Sequence, residues 1–92
     1  MIRSCKDPYT QKLVDREFCK KFSGIEKIAR LRLDRLHAAT SLDDLAAIPG
    51  HRLEKLGGDR KGQYSIRIND QYRVCFGWKQ GDAVEVEVVD YH

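Results

Sequence analysis

The chain closes on Asp90-Tyr91-His92, which sets a carboxylate, a phenol and an imidazole side by side. The imidazole titrates near neutrality and can give or take a proton at pH 7. A tyrosine ring can stack on an unpaired base, a common way of holding single-stranded RNA. Upstream, Lys55, Arg60, Lys61, Arg67 and Arg73 supply cations. The guanidinium fork suits bidentate contact with a phosphate and stays charged at any working pH. Together these groups suit the cutting of RNA without a metal. The RNA's own 2′-hydroxyl would be the nucleophile, and an arginine would stabilise the charge on phosphorus. Plainer readings stand beside this one. Arg67 and Arg73 can simply pair across strands with Glu85 and Glu87, and a histidine at a terminus is usually solvated. His37, His51 and His92 lie 14 and 41 residues apart, without a repeated ligand spacing, so no metal or other cofactor is expected.

The elements that must position these groups follow from local pattern. Ile2-Arg3-Ser4-Cys5 reads as a short first strand. Asp7-Pro8 opens a helix, with Asp as N-cap and Pro at the first helical position. Ser23-Gly24-Ile25-Glu26 has the form of a capping box, which predicts a second helix from about residue 24. Ile25, Ile28, Ala29, Leu33 and Leu36 then share one face at helical spacing. Residues 40–45 suggest one further turn. After Gly50 the period falls to two. Arg52–Leu56 is a candidate strand, ended by Gly57-Gly58-Asp59, a turn without Walker spacing. Tyr64, Ile66 and Ile68 alternate with polar residues, as do Tyr72, Val74, Phe76 and Trp78, and then Val84, Val86 and Val88. Turns at Asn69-Asp70 and Gln80-Gly81 join them into an antiparallel meander. The expected architecture is α+β: a short N-terminal strand and two helices packed on a meander of three to four strands. The apolar set faces the helices, and Arg67, Arg73, Glu85 and Glu87 take the open face.

Composition narrows the class. At 92 residues the chain reads as one domain, residues 1–92, with 41% hydrophobic and 34% charged residues. No apolar run approaches the roughly 20 residues of a membrane span, and no leader is evident. Three widely spaced cysteines, Cys5, Cys19 and Cys75, fit free thiols in a reducing cytoplasm. The net charge of +3 is unevenly spread. Residues 80–92 hold four acidic and no basic side chains, so the basic excess lies upstream, where a polyanion would bind.

Residues 53–76 contain Gly58-Asp59-Arg60 and then Ser65-Ile66-Arg67-Ile68-Asn69-Asp70-Gln71-Tyr72-Arg73-Val74-Cys75-Phe76. With the closing Asp90-Tyr91-His92, this stretch resembles the HigB toxins of the RelE/ParE toxin–antitoxin superfamily. The resemblance implies a RelE-like fold and a ribosome-dependent endoribonuclease that cuts mRNA in the A site of the 30S subunit and stops translation. It also implies a HigA-like helix-turn-helix antitoxin as partner. On this match Arg73 would stabilise the scissile phosphate, Asp90, Tyr91 and His92 would orient the nucleotide and move protons, and Lys55 and Arg60 would hold RNA backbone. The chain departs from the family pattern at Glu54, where a histidine is usual, and at Gly57, where a lysine is usual. Glu54 is then either a general base or a salt-bridge partner of Lys55 or Arg67, and the departures imply a slower or more selective nuclease. Two readings compete: a ParE-like inhibitor of DNA gyrase, and a non-catalytic protein that only binds an antitoxin or ribosome.

Overall fold

A computed structural model of the chain describes residues 1–90. Tyr91 and His92, assigned above to the cutting of RNA, lie outside the described residues. Three α-helices, α1 (Pro8–Val14), α2 (Glu26–Ala38) and α3 (Leu42–Ala46), precede four strands, β1 (Glu54–Lys55), β2 (Gln63–Arg67), β3 (Tyr72–Lys79) and β4 (Asp82–Asp90). Short 3₁₀ turns occupy Lys20–Phe22 and Gly58–Arg60. The strands pair antiparallel in sequence order, as a meander of tight turns requires. Among the described residues no helix is long and apolar enough to cross a membrane.

The N-terminal segment does form strand-like contacts, but parallel ones, along the outer edge of β4. Ile2 bridges Ala83 and Cys5 bridges Val86. The amide of Val86 donates to the Ser4 carbonyl at 3.0 Å, and that of Lys6 donates to the Val86 carbonyl at 2.9 Å. Two residues further along, the Val88 amide donates to the Thr10 hydroxyl at 3.0 Å. That hydroxyl is itself tied to the Asp7 carboxylate, which also caps α1 by accepting from the Thr10 amide at 2.8 Å. The edge of β4, otherwise a row of open amides, is thus satisfied first by extended chain and then by the start of a helix.

The second helix begins at Glu26, and its N-cap, Ile25, makes no side-chain capping bond. The expected capping box at Ser23 is absent because Ser23 instead ends the 3₁₀ turn at Lys20–Phe22. The box forms at α3, where Ser41 and Asp44 cap each other's backbone. The core lies between α1, α2 and one face of the sheet. Leu13, Ala29, Leu33, Leu36 and Leu45 meet Ile66, Val74, Phe76, Val86 and Val88. Phe76 is fully buried, flanked by Tyr64 and Trp78 with ring centroids 6.2 Å away on each side. All of these aromatics belong to the core or its margin, as their alternation predicts.

A bulge sets the phase of the last strand. Cys75 pairs with Glu87 and Gly77 with Val84, so Glu85 and Val86 together oppose Phe76. Glu85 takes a left-handed conformation there, with φ at 52°. Gly77 fits closely beside it: a Cβ there would stand 3.0 Å from the Val84 methyl, which would have to give way. The extra residue turns Val86 and Val88 into the core and leaves Glu87 and Val89 on the opposite face.

Candidate functional site

The register lays the polar side chains in rows across the sheet. Glu54, Ser65, Cys75 and Glu87 are successive partners across all four strands. Arg67, Arg73 and Val89 form the next row. This face is less open than the alternation suggests: Ser65, Arg73 and Cys75 are buried. Long charged side chains can cover such a surface with their stems while keeping their heads hydrated.

Arg73 is the best-held group on this face, its side chain only 10% exposed. Its Nε donates to the Ser65 hydroxyl at 2.7 Å, and one Nη donates to the Arg52 carbonyl at 2.7 Å. The other Nη faces the Glu54 carboxylate at 3.9 Å, a group that is 55% exposed. As an ion-pair partner Glu54 therefore meets Arg73, not Lys55 or Arg67 as one of the two readings of it has it. The plainer reading, in which Arg67 and Arg73 pair across strands with Glu85 and Glu87, does not hold among the described residues. Arg67 instead binds Asp70 within its own turn, and the amide of bulged Glu85 donates to the Ser4 hydroxyl.

Glu87 is taken by Arg60, whose Nη lies 3.2 Å from the carboxylate and 3.1 Å from the Gln63 side-chain oxygen. Lys6 approaches the same carboxylate at 3.8 Å. Between this cluster and Arg73 sits Cys75. Burial pushes its thiol above the ordinary value, with Arg60 opposing, so it stays a protonated packing group. Arg60 binds Glu87 and Arg73 binds Ser65, the two cross-strand neighbours of Cys75, so both guanidinium groups lie on this face. Lys55 and Lys61 are exposed, but Lys55 pairs with Tyr64, in the row that faces the helices, and so is not on this face.

Asp90 ends β4 opposite Tyr72, and it is Val89 that stands opposite Arg73. The Asp90 carboxylate accepts from the Gln71 side-chain amide at 3.0 Å. The strand thus brings Asp90 to the end of the sheet where Arg73 lies. Two contributors escaped the reading of the sequence, Ser65 and the Arg52 carbonyl. Ser65 had a usable signal: with the turn at Asn69-Asp70, it falls diagonally across from Arg73. The Arg52 carbonyl had none, because its direction depends on a left-handed residue, φ 45°, that is not glycine.

His51 is not part of this face. It is fully buried, with neither ring nitrogen hydrogen-bonded among the described residues. An open groove of about 830 Å³ also lies elsewhere, between the Arg16 loop and the outer side of α2 along Ile28 and Leu31.

Residues 5–92 match the profile of the family described as RelE-like toxin of type II toxin–antitoxin system HigB. Toxin HigB-1 of Vibrio cholerae is 45% identical over 62 residues, covering 67% of this chain and 65% of that protein. Endoribonuclease HigB of Proteus vulgaris is 34% identical over 61 residues, covering 66% and 65% respectively. The chain thus matches just under two thirds of the length of these relatives. In fold it is similar to a YoeB-YefM complex from Staphylococcus aureus, with a TM-score of 0.62 at 19% identity over 100% of this chain and 98% of that one.

Proposed function

The chain belongs to the HigB-like family of RelE-type toxins of type II toxin–antitoxin systems, and from that premise we propose that it is a ribosome-dependent endoribonuclease acting on mRNA. The observation that carries the reading is the setting of Arg73. Its inner edge is held by a hydroxyl and a carbonyl, while an Nη faces an exposed carboxylate at 3.9 Å. An anion therefore already stands against the outer part of the guanidinium, and a phosphate would take or share that position.

In the reaction the 2′-hydroxyl attacks the adjacent phosphorus and loses its proton to a base. The bond to the 5′-oxygen breaks, that oxygen takes a proton from an acid, and a 2′,3′-cyclic phosphate remains. Arg73 stabilises the charge that builds on the phosphoryl oxygens. His92 is the main proton-transfer group, with Asp90 and Tyr91 orienting the nucleotide. Glu54, at the rim of the Arg73 site, is placed to act as the base. Lys55, Arg60, Lys61 and Arg67 hold backbone phosphates, and no step calls for a metal. Expression in the cytoplasm and neutralisation by a HigA-like antitoxin belong to the same reading.

Primer extension on a reporter mRNA, with purified ribosomes, tests it. Cuts are expected only with ribosomes present and are lost in Arg73→Ala. Intact mRNA with active ribosomes would overturn the reading, and gyrase-linked DNA breaks during growth arrest would replace it with the ParE-like one.

A further inference from the structure

We propose that Ser65 is a positioning residue for the cleavage step, acting through Arg73; this rests on the function proposed above. Ser65 is completely buried in β2, and its hydroxyl is the partner of the Arg73 Nε at 2.7 Å. Nε sits at the root of the guanidinium plane, so a bond there sets the orientation of the whole fork. The Arg52 carbonyl fixes a second point on the same plane at 2.7 Å, and its aim depends on the left-handed turn at Arg52. Two fixed donors determine the plane of a rigid, planar group. The remaining Nη then points at Glu54 and cannot swing away.

A packing role alone would not require this pattern. A serine needed merely to fill space on the face would be as well served by alanine or cysteine. Here a fully buried hydroxyl is turned onto the one nitrogen that controls the direction of the arginine. A stem with several rotatable bonds is thereby pre-ordered before RNA arrives, which is what a group stabilising transient charge on phosphorus requires. Ser65 itself touches no substrate. Its effect belongs to the rate of the chemical step and not to the affinity for the programmed ribosome.

The test compares wild type, Ser65→Ala and Ser65→Cys, the last being nearly isosteric but a poor acceptor. Single-turnover cleavage of reporter mRNA on ribosomes is measured against protein concentration. The expected result is a fall of about ten- to a hundredfold in the maximal rate, the range that small misplacements of catalytic groups produce, with half-saturation unchanged. In parallel, the ¹⁵N–¹H signal of the Arg73 Nε should exchange slowly in wild type and rapidly in Ser65→Cys. A wild-type rate in both variants, with Arg73→Ala inactive, would overturn the role of Ser65 and leave the nuclease standing. Full activity of Arg73→Ala would instead overturn both. An Nε signal equally protected in Ser65→Cys would refute the cradle even if one of the variants failed to fold.

Discussion

Replacing His51 by leucine should stabilise the protein and flatten its response to mild acid. The ring is fully buried and neither nitrogen is hydrogen-bonded among the described residues. Burial is the first cause pushing its pKa below the ordinary 6.5, and Arg32 on α2 is the second. The Leu45 carbonyl on α3 pulls the other way, without reaching hydrogen-bond geometry, and Arg35 adds to the depression. The folded state therefore holds this imidazole neutral where an unfolded chain would protonate it. Below pH 6.5 the unfolded state binds more protons, so stability falls with falling pH until the folded pKa is reached. If His51 stays neutral, linkage sets the loss between pH 7.5 and 5.5 at about 1.4 kcal/mol, with a limiting slope of about 1.4 kcal/mol per unit. That is a sizeable part of the ~5–14 kcal/mol usual for a domain of this length.

Leucine removes two unsatisfied buried polar atoms, each costing about 1–3 kcal/mol. An imperfect fit of the new side chain returns up to about 1.5 kcal/mol of that. The net expectation is a gain of at least about 0.5 kcal/mol at pH 7.5, widening by about 1.4 kcal/mol at pH 5.5. Urea unfolding of both proteins at pH 7.5, 6.5 and 5.5 measures the difference directly. Parallel pH curves would show that the imidazole does not titrate differently in the two states. A loss above 2 kcal/mol at pH 7.5 would show that its nitrogens have partners after all.

Two further outcomes follow from the fold and the charge layout. Asp7→Ala should cost about 1–2 kcal/mol, because one carboxylate both caps α1 and holds the Thr10 hydroxyl that satisfies the Val88 amide; thermal unfolding should show a drop of several degrees, and an unchanged midpoint would refute the linkage. Glu87→Gln should change stability by less than about 1 kcal/mol. It releases Arg60 and Lys6 from their shared carboxylate, so single-stranded RNA should bind more tightly, with a steeper loss of affinity as salt rises; an unchanged salt slope would place Arg60 outside the RNA path.

The meander and its helices were legible because each rests on local pattern: the period-two runs, Asp7-Pro8 before a helix, and Gln80-Gly81 in a tight turn. The turn bears this out, with φ of 52° and 81° at its two central residues. The capping box failed at Ser23 for a reason no pattern contains. The 3₁₀ turn that seats Phe22 in the core uses Ser23 as its last cap. The candidate strand from Arg52 shrank to Glu54–Lys55 for a similar reason. His51 and Arg52 give their carbonyls to the Arg67 amide and the Arg73 side chain, which pulls them out of ladder geometry. In the site, residue types identified the arginines, but only the register and the bulge determined which acid meets which. Arg60 has Glu87 and Arg73 has Glu54, pairs separated by 27 and 19 positions in sequence.

Those pairings give two arginines on one face different work. Arg60 binds a half-buried carboxylate at hydrogen-bond distance, and Lys6 competes for it. Much of the field of that cluster is cancelled locally. Arg73 donates to a hydroxyl and a carbonyl, dipoles that hold the guanidinium without themselves neutralising its charge. The carboxylate it faces stands at 3.9 Å, beyond a direct bond, and is largely in water, where an ion pair is weak. A guanidinium fixed by neutral acceptors keeps both its geometry and its attraction for a phosphate. One fixed mainly by a carboxylate keeps only the first. Lysine at position 73 could not serve in the same way, because a compact ammonium lacks the planar fork whose separate nitrogens reach a hydroxyl and a carbonyl and still present a donor outward. The demand for arginine there is therefore set by the backbone and a serine as much as by the phosphate proposed for it.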